Sequence, residues 1–378
     1  MNPIPYGRQL IEDDDVEAVV RVLRSGALTT GPEVEAFEAD LATACGAKHA
    51  VVVANGTAAL HCAYAAAGIG PGAEVITSPL TFSATANMVL ALGAKPVFAD
   101  VSPDTLCLDP AAVARAVTPA TRAIAPVDFG GHPADLEALL ALARKHDLAV
   151  VEDAAHAVGA RLGGRPVGSI ADLTTFSFHP VKTITSGEGG AVLTNDDSLA
   201  RKARDFRNHG LVRERNRLER DDGPWYYEIQ SLGFNYRLTD IQCALGRSQL
   251  RKLDRFVTRR AQIVARYRAA LSSHPRLTLP AQRPEASPAW HLFALRVAGG
   301  AEARSRFYLA LRERGILSQV HYVLVNDMPL YRQLGHRPEA TPIAAAASAS
   351  LLSLPLYPAM TDDDVERVIS AVGEALAP

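Results

Sequence analysis

Residues 48–68 read KHAVVVANGTAALHCAYAAAG, and this stretch decides the fold of the chain. Its first part is a run of β-branched residues that predicts a strand over 48–55, and the remainder predicts a helix over 57–68. The strand is apolar throughout rather than alternating, as expected when both faces of a strand are covered. A buried strand that leads directly into a helix is the repeating unit of an α/β fold.

The same pattern continues on the C-terminal side of this stretch. The further predicted strands are EVITS (74–78), KPVFADV (95–101), RAIAPVDF (122–129), DLAVVED (147–153), LTTFSF (173–178) and GAVLTN (190–195). Three helices are predicted between these strands: one over 82–93, one that begins near Pro110 and one over 133–146. Strands that alternate with helices in this way predict an α/β fold with a mainly parallel central sheet.

The last third of the chain has a different character. A long Arg-rich helical pattern runs from about 238 to 271, and a Pro-rich loop follows it. Beyond the loop, the pattern predicts a strand over 291–297, a helix over 301–315, a strand over 316–322 and a helix over 362–376. We therefore predict a large domain over 1–250, including the N-terminal segment, and a smaller C-terminal α+β domain over 251–378.

Composition excludes several classes of protein. The 378 residues include 39 Lys and Arg against 41 Asp and Glu, and a net charge of -2 excludes a strongly basic nucleic-acid-binding protein. The four cysteines lie far apart and form no Cys-x-x-Cys, so we expect neither a disulfide framework nor a metal site. No apolar leader begins the chain, and the apolar stretch 343–354 is too short to span a bilayer, so we expect a cytoplasmic enzyme.

Two candidate binding features lie at the ends of predicted strands. Gly56 and Thr57 join the first strand to its helix, where free N–H groups form an anion cradle, although a glycine turn with a Thr cap gives the same pattern. Asp153 ends the apolar run LAVVED, at the strand end where open α/β sheets bind ligands, although it is also a plausible helix cap. Glu152 beside it is expected to point to the opposite face.

Lys182 lies in the segment FSFHPVKTITSGEGG (176–190), after an apolar strand and before a glycine-rich stretch. A lysine near a sheet edge is usually solvated, but a partly desolvated lysine has a lowered pKa and can form a Schiff base. Phe82 either belongs to the core or stacks on a planar ring at the same sheet edge. A lysine, a buried acid, a phosphate cradle and an aromatic platform together match the needs of pyridoxal phosphate.

The sequence resembles the DegT/DnrJ/EryC1/StrS family of pyridoxal-phosphate-dependent nucleotide-sugar aminotransferases. The motifs that carry the resemblance are GPEVEAFE (31–38), ANGTAAL (54–60), TFSATANMV (81–89), VEDAAHAVGA (151–160), SFHPVKTITSGEGGAVLTN (177–195), RNHG (207–210) and GFNYRLTDIQCALG (233–246). Within the family it is most similar to the UDP-4-amino-4,6-dideoxy-N-acetyl-β-L-altrosamine transaminases of pseudaminic acid biosynthesis. This closer similarity rests on IPYGRQLIEDDDVEAV (4–19), the long SFHPVKTIT form of the lysine motif (177–185), PWYYEIQSLGFNYR (224–237) and QVHY (319–322).

The resemblance implies a pyridoxal-phosphate transferase fold of type I, like that of aspartate aminotransferase, and a homodimer with active sites at the interface. It implies that Lys182 forms the Schiff base and that Asp153 pairs with the pyridine nitrogen of the cofactor. The other cofactor contacts that it implies are Gly56, Thr57, Phe82, His156, Ser177 and, from the other subunit, Asn235. The substrate contacts that it suggests are Tyr6, Thr29, Thr30, Arg237, His321 and Tyr322.

The reaction implied is transfer of an amino group from L-glutamate to carbon 4 of a UDP-linked 4-keto-6-deoxy-N-acetylhexosamine, with the cofactor passing through pyridoxamine phosphate. Three alternatives remain open: a transaminase for another sugar (a GDP-perosamine, dTDP-linked or carbon-3 type), a sugar dehydratase, and a non-catalytic regulator that binds pyridoxal phosphate. Lys182 argues against the dehydratases of this family, in which a His replaces the lysine.

Some residues have simpler interpretations or depart from the family pattern. His156 and the segment 235–237 are also compatible with purely structural roles, and the Arg-rich segment 201–220 is interpreted mostly as solvated surface because acidic residues alternate with its arginines. Leu324 and Asn326 stand where the closer relatives usually have a Pro and a His. If that loop touches the substrate, this difference bears on which sugar is bound.

Overall fold

The structure is a computed structural model that describes residues 2–376; Met1 and residues 377–378 lie outside it. Its strands are short, and each described strand belongs to a sheet of two to seven strands. In chain order they are β1 (Ile4–Pro5), β2 (His49–Val53), β3 (Glu74–Thr77), β4 (Lys95–Phe98), β5 (Thr121–Ala125), β6 (Ala149–Asp153), β7 (Arg161–Leu162), β8 (Arg165–Pro166), β9 (Leu173–Ser177), β10 (Gly190–Thr194), β11 (Leu211–Val212), β12 (Glu228–Ile229), β13 (Leu277–Thr278), β14 (Ala286–Ser287), β15 (Phe293–Val297), β16 (Ile316–Leu317) and β17 (Leu351–Leu354).

The helices connect and cover these strands. In chain order they are α1 (Asp13–Ser25), α2 (Pro32–Cys45), α3 (Gly56–Ala66), α4 (Ala84–Ala91), α5 (Pro110–Ala116), α6 (Leu136–Lys145), α7 (Asp197–Arg207), α8 (Asp240–Leu250), α9 (Leu253–Leu271), α10 (Gly300–Glu313), α11 (Pro329–Gln333), α12 (Pro342–Ser350) and α13 (Asp362–Ala375). Among the described residues, no helix is both long and apolar enough to cross a membrane.

The central sheet has seven strands in the order β2-β10-β9-β6-β5-β3-β4. β6 pairs in parallel with β5 and β9, and β3 pairs in parallel with β4 and β5, while β10 runs antiparallel to both of its neighbours. Every residue of β9 and β10 is buried, in agreement with the uniformly apolar strands of the sequence. The predicted α/β fold with a mainly parallel sheet is therefore confirmed.

The C-terminal part of the chain builds a separate antiparallel sheet, in the order β13-β15-β17. Apolar residues of α9, α10 and α13 form one hydrophobic cluster with this sheet. The N-terminal strand β1 pairs in parallel with β16, so the start of the chain lies against its last third. This arrangement carries Tyr6 to the C-terminal part; the domain boundary at residue 250 stays a prediction.

Several predicted element bounds are wrong. The helical pattern over 238–271 is two helices, because Lys252 leaves helical geometry (φ -99°, ψ 0°) and its ammonium group binds Asp14 at 2.6 Å and Asp15 at 2.8 Å. The strand predicted from residue 291 begins at Phe293, after Trp290 adopts a left-handed conformation with φ 48°. Of the predicted strand 316–322, only the first two residues form β16.

Gly131 marks the place where three loops meet beside the central sheet. Its φ is 94°, and a Cβ atom at this position would lie 2.8 Å from the carbonyl oxygen of His156 and 2.9 Å from the amide nitrogens of Trp290 and His291. Only glycine combines this conformation with so close an approach. Gly131 therefore lets the loops that carry His156 and His291 pack against each other.

Candidate active site

A cavity of about 470 Å³ opens at the carboxyl ends of β6 and β9. Asp153 is the last residue of β6, Ser177 is the last residue of β9, and both line the cavity. The N-terminus of α3 and the turn after β9 that carries Lys182 form further parts of its wall. Ligands of open α/β sheets bind at such strand ends, so the fold places the predicted residues in a suitable position.

Lys182 is half-buried in this wall. Its backbone N–H donates to the carbonyl oxygen of His179 at 2.9 Å, which closes the turn that carries it. Burial lowers the pKa of Lys182 to about 8, and the nearby charge of Asp153 acts in the opposite direction. The Lys182 amine therefore loses its proton more easily than an exposed lysine does.

Asp153 is buried, with 6% of its surface exposed. The hydroxyl of Thr85 donates to its Oδ2 at 2.6 Å, and the backbone N–H of Ala155 donates to its Oδ1 at 3.2 Å. Burial raises the pKa of Asp153, while these two hydrogen bonds and the charge of Lys182 favour the ionised carboxylate. A fixed carboxylate that faces a cavity is suited to pair with a protonated ring nitrogen.

The amide groups at the N-terminus of α3 form the predicted anion cradle. The side chain of Asn55 accepts the N–H of Ala58 at 2.8 Å, and the N–H groups of Gly56 and Thr57 precede the first intrahelical hydrogen bond. A Cβ atom at position 56 would lie 2.9 Å from Cβ of Ser177, so glycine is needed for this approach. Gly56, Thr57 and Ser177 all line the cavity, where they can bind a phosphate.

His156 lies on the loop that follows β6, three residues after Asp153, and also lines the cavity. Its Nε2 is 3.1 Å from the hydroxyl of Tyr322, while its Nδ1 is buried without a hydrogen-bond partner among the described residues. Burial holds the pKa of His156 well below its usual range, so the ring is neutral. A neutral histidine with one free nitrogen can donate to or accept from a bound ligand.

Sequence reasoning missed His291. Its ring lies 4.4 Å from the ring of His156, it lines the cavity, and its Nδ1 also lacks a partner within the described part of the chain. The buried guanidinium of Arg260 donates to the carbonyl oxygens of Trp290 and His291, each at 3.3 Å. His291 was assigned to a strand, and no motif marks it, so only the approach of the loops brings it to the site.

The other end of the cavity is lined by Tyr6, His321 and Tyr322. The rings of Tyr6 and His321 lie 5.3 Å apart, and Nδ1 of His321 is 2.9 Å from the hydroxyl of Ser353. Burial lowers the pKa of His321 to about 4, so this residue is neutral as well. Phe82 lines the cavity with 62% of its surface exposed, as a residue available for stacking should be.

Four predicted site residues do not reach this cavity within one chain. Thr29 and Thr30 are exposed and precede α2. Asn235 is also exposed and forms an isolated antiparallel β-bridge with Asn208. The guanidinium of Arg237 donates to the side-chain oxygen of Asn208 at 2.6 Å. The roles of these four residues stay predictions. For Asn235, the predicted role is in the cavity of a second subunit, so a single chain does not test it.

The two residues that depart from the family pattern do not line the cavity. Leu324 belongs to the hydrophobic core, with 4% of its surface exposed. Asn326 is buried, and its amide donates to the hydroxyl of Thr341 at 3.0 Å and to the carbonyl oxygen of Arg337 at 3.2 Å. In this chain, internal packing and hydrogen bonding account for both residues.

The residues present fit pyridoxal phosphate. An amine with a lowered pKa and a buried carboxylate meet in one cavity, beside a helix N-terminus whose first N–H groups are free for a phosphate. The unpartnered Nδ1 of His156 gives the same cavity a further polar contact. Ten of the predicted site residues line it together, namely Tyr6, Gly56, Thr57, Phe82, Asp153, His156, Ser177, Lys182, His321 and Tyr322.

Comparisons with known proteins agree with this geometry. The model of the DegT/DnrJ/EryC1/StrS aminotransferase family matches residues 9–373. The spore coat polysaccharide biosynthesis protein SpsC of Bacillus subtilis is 45% identical over 373 residues, which cover 98% of this chain and 96% of that protein.

Solved structures are similar over nearly the whole length. PseC of Helicobacter pylori, an aminotransferase involved in the biosynthesis of pseudoaminic acid, has a TM-score of 0.92 at 32% identity and covers 99% of both chains. Spr1654 of Streptococcus pneumoniae in its PMP form has a TM-score of 0.93 at 30% identity and covers 98% of both chains. The same protein also has a PLP form, so both states of the cofactor occur on this fold.

Proposed function

The chain belongs to the DegT/DnrJ/EryC1/StrS aminotransferase family, and on this premise we propose that it transfers an amino group from L-glutamate to carbon 4 of a UDP-linked 4-keto-6-deoxy-N-acetylhexosamine. Membership makes it a pyridoxal-phosphate-dependent sugar aminotransferase. The UDP-4-amino sugar would serve surface glycan biosynthesis of the pseudaminic acid or a related type. The observation that carries the proposal is the meeting of Lys182 and Asp153 in one cavity.

The choice of sugar is supported by the relatives. PseC is involved in pseudoaminic acid biosynthesis, and SpsC takes part in the biosynthesis of a spore coat polysaccharide. Both are similar to this chain from end to end, and PseC has the same overall fold. Both descriptions concern the biosynthesis of carbohydrates, which supports a sugar as the substrate of this chain.

We propose that the residues of the cavity hold the cofactor as follows. Lys182 binds its aldehyde carbon, Asp153 its ring nitrogen, and Gly56, Thr57 and Ser177 its phosphate. Phe82 covers one face of the ring, and His156 adds a polar contact. When bound, pyridoxal phosphate supplies an electron sink that stabilises negative charge on the substrate carbon.

Lys182 is also the proposed proton carrier. When its amine is not holding the cofactor, Nζ of Lys182 would be free to move a proton at the substrate carbon. Because burial lowers the pKa of Lys182 to about 8, a useful fraction of the amine is neutral near neutral pH and can accept a proton. Asp153 in its ionised form keeps the proton on the ring nitrogen of the cofactor.

The substrate end of the cavity suits an uncharged sugar ring. His321 and Tyr322 are neutral at neutral pH because burial lowers the pKa of the histidine and raises that of the tyrosine. Together with Tyr6 they offer hydroxyl and imidazole groups rather than charges, and such groups exchange hydrogen bonds with sugar hydroxyl and amide groups. We propose that these three residues contact the keto sugar.

A homodimer belongs to the same proposal. The segment 211–232 carries exposed apolar side chains, among them Trp225 at 71%, Ile229 at 59% and Leu232 at 76% exposure. Exposed apolar groups that cluster on one segment are typical of a surface that another protein covers. In the proposed dimer, Asn235 would contact the cofactor phosphate in the cavity of the second copy, as the family resemblance implies.

A cytoplasmic location is also proposed. All four cysteines, which lie within the described residues, are buried and unpaired. Free thiols are typical of proteins in a reducing compartment.

The proposal is tested by incubating the purified protein with pyridoxal phosphate, L-glutamate and a panel of keto sugars. The panel contains UDP-, GDP- and dTDP-linked 4-keto-6-deoxy sugars, and the products are identified by mass spectrometry and NMR. We expect 2-oxoglutarate and a product aminated at carbon 4 from the UDP-linked N-acetylhexosamine. Amination of only the GDP- or dTDP-linked sugars would overturn the choice of substrate.

Lys182→Ala serves as the control in the same assay. We expect it to form no detectable product, because it lacks the amine that binds the cofactor and carries the proton. Turnover of the keto sugar by this variant at the wild-type rate would show that the role given to Lys182 is wrong.

A further inference from the structure

Arg260 on α9 is a buried cation without an acidic partner. Its exposed fraction is 1%, and burial lowers its pKa to about 10, so the guanidinium is charged at neutral pH. Its neighbours Arg259 and Arg266 pair with carboxylates of α13, whereas no acidic side chain among the described residues forms an ion pair with Arg260. Because a buried charge without a counter-charge costs free energy, other polar groups must hold it.

The groups that hold Arg260 are backbone carbonyls from two distant segments of the chain. Its Nη1 donates to the carbonyl oxygen of Leu356 at 2.8 Å and to those of Trp290 and His291 at 3.3 Å each. One segment precedes β15 and the other follows β17. A single side chain of α9 therefore binds both segments at once.

The first segment carries His291, which lines the cavity. The ring of His291 lies 4.4 Å from the ring of His156. The backbone N–H of Leu292 donates to the carbonyl oxygen of Gly130 at 3.1 Å, so the segment is held both by the loop around Gly131 and by Arg260.

The second segment pairs with Tyr6. The backbone N–H of Leu356 donates to the carbonyl oxygen of Tyr6 at 3.0 Å, and the ring of Tyr6 lines the cavity. Leu356 thus accepts a hydrogen bond from Arg260 and donates one to Tyr6. The hydroxyl of Tyr267, which lies about two turns further along α9, donates to the carbonyl oxygen of Pro355 at 2.8 Å and supports the same segment.

We propose that Arg260 is a positioning residue of the active site, which fixes the backbone that carries His291 and the backbone that pairs with Tyr6. The proposal rests on the proposed function only in the role that Tyr6 is given toward the sugar. Arg260 itself lies outside the lining of the cavity, so its effect on a bound ligand passes through these two residues.

Core packing alone does not require an arginine at this position. An apolar side chain of similar length would remove the cost of burying a charge, but it would leave the carbonyls of both segments without this donor. The planar guanidinium offers several donors in a fixed arrangement, which suits a group that must hold two segments together. The geometry thus favours a role in position over a role in packing.

Hydrogen exchange of the cofactor-free protein, measured by mass spectrometry, tests the positioning without any ligand. Arg260→Gln keeps a donor that is too short to reach both segments, and Arg260→Met keeps none. In both variants we expect the amides of 286–293 and 351–357 to exchange about fivefold faster than in the wild type, because one hydrogen bond is lost from each segment. The peptides of β9 and β10 should keep the wild-type rate.

Arg266→Met is the matched control, since it removes an arginine of the same helix that pairs with Asp362 and Glu366 on α13. Both segments should exchange in this variant as they do in the wild type. Unchanged exchange of the two segments in Arg260→Gln, or faster exchange spread evenly over the whole chain, would overturn the proposal.

The conservative variant Arg260→Lys keeps the charge and a donor but loses the planar arrangement. Its two segments should exchange at rates between those of the wild type and Arg260→Gln, and faster exchange than in Arg260→Gln would contradict the proposal. If Arg260→Met did not fold, the Gln and Lys variants would still give the comparison, because Tyr267 continues to support the segment at Pro355.

Steady-state kinetics tests the effect on the substrate. With saturating L-glutamate and a varied UDP-linked 4-keto-6-deoxy-N-acetylhexosamine, we expect Arg260→Gln to raise the KM for the sugar about fivefold, the size of one hydrogen bond. The kcat should stay within about twofold of the wild type. A merely structural role would lower the amount of folded enzyme, so kcat would fall at an unchanged KM, and that result would overturn the proposal.

A double variant shows whether the effect passes through Tyr6. Tyr6→Phe alone should raise the KM for the sugar by a similar factor, because the hydroxyl is lost. If Arg260 acts through Tyr6, combining Tyr6→Phe with Arg260→Gln should raise the KM by clearly less than the product of the two factors. Factors that multiply in full would mean that Arg260 acts independently of Tyr6, against the proposal.

The two kinds of test separate this proposal from the proposed function. If the wild type converted no keto sugar, the proposed function would fail. The exchange experiment needs no ligand and would still decide whether Arg260 holds the two segments.

Discussion

The amine of Lys182 is held where its positive charge is disfavoured. Burial lowers its pKa from an ordinary 10.5 to about 8, so the unfolded chain binds more protons than the folded one between these pH values. Stability therefore rises with pH across this window, and the destabilising effect of the buried charge is fully present below pH 8. A residue suited to chemistry thus weakens the fold in which it lies.

This conflict predicts that Lys182→Met stabilises the cofactor-free protein. At pH 7 we expect its melting temperature to exceed that of the wild type by a few degrees, because no buried charge remains. The gain should shrink as the pH rises from about 8 toward 10.5, where the wild-type amine becomes neutral in both states. Calorimetry over this pH range measures the difference in melting temperature between the variant and the wild type.

Lys202→Met provides the matched control for that experiment, since Lys202 is exposed on α7. Its melting temperature should follow that of the wild type at every pH. A Lys182→Met variant that melts at or below the wild-type temperature at pH 7 would contradict the interpretation.

Thr85 gives a second prediction at this scale. Its hydroxyl donates to Asp153 at 2.6 Å, and Thr85→Val removes the donor while it keeps the shape of the side chain. We expect pyridoxal phosphate to bind about tenfold more weakly, because a hydrogen bond to a buried carboxylate is lost and Asp153 is less readily ionised. Absorbance titration of the cofactor-free protein measures the affinity.

The conservative variant Thr85→Ser keeps the hydroxyl and should retain most of the wild-type affinity. If Thr85→Val and Thr85→Ser were weakened equally, packing rather than the hydrogen bond would explain the effect. Circular dichroism of the three proteins shows whether they fold alike.

A site residue can be predicted from the sequence when the residues next to it in the chain indicate where it lies in the fold. Asp153 and Lys182 follow apolar strands, and the structure places both at the carboxyl ends of those strands. His291 lies on a segment without a motif. Thr85 lies in the motif TFSATANMV (81–89), but the motif gives a role only to Phe82, and the contact of Thr85 with Asp153 depends on the approach of distant elements.

At the scale of elements, the loop around Gly131 should be the least tolerant of added volume. Gly131→Ala adds a Cβ atom 2.8–2.9 Å from three backbone atoms, in addition to the strain of φ 94°. We expect a loss of about 2–4 kcal/mol in the free energy of unfolding, because both the contact and the conformation are unfavourable. Denaturant unfolding measures the loss.

Gly163→Ala is the matched control, since Gly163 also has a positive φ, 55°, but has no heavy atom within 4 Å of the added Cβ. This variant carries only the conformational strain and should lose about 1 kcal/mol. Equal losses at the two positions would mean that the approach of the loops contributes nothing.

Sequence patterns predict the existence of helices and strands better than the residues at which they begin and end. Strands and helices of the central sheet were predicted because buried parallel strands are uniformly apolar and their helices are amphipathic or Ala-rich. The break between α8 and α9 was missed because neither Gly nor Pro marks it, and a tertiary contact of Lys252 with Asp14 and Asp15 accompanies it. β16 is short because only two residues pair with the N-terminal strand.

For the whole molecule, the proposed dimer makes a prediction about mixed subunits. Lys182→Ala and Asn235→Ala should each be nearly inactive, since every site lacks one required residue. If Asn235 acts on the cavity of a second copy, a mixed dimer contains one site with both residues intact. Refolding the two variants together should then restore up to about a quarter of the wild-type activity.

Light scattering of the wild type accompanies this experiment and should give the mass of a dimer. Two Lys182→Ala preparations mixed with each other form the negative control and should stay inactive. Failure of the mixture of the two different variants to recover activity, in a sample shown to be dimeric, would mean that Asn235 does not act across the interface.

The pairing of β1 with β16 has a consequence for how the protein is made. Ile4 is synthesised 312 residues before its partner Ile316, so the two strands cannot pair until the later one has emerged from the ribosome. The parts of the cavity that come from β6 and β9 are available much earlier, whereas Tyr6 cannot take its place until the late partner strand arrives. The substrate end of the cavity is therefore completed after the end formed by β6 and β9.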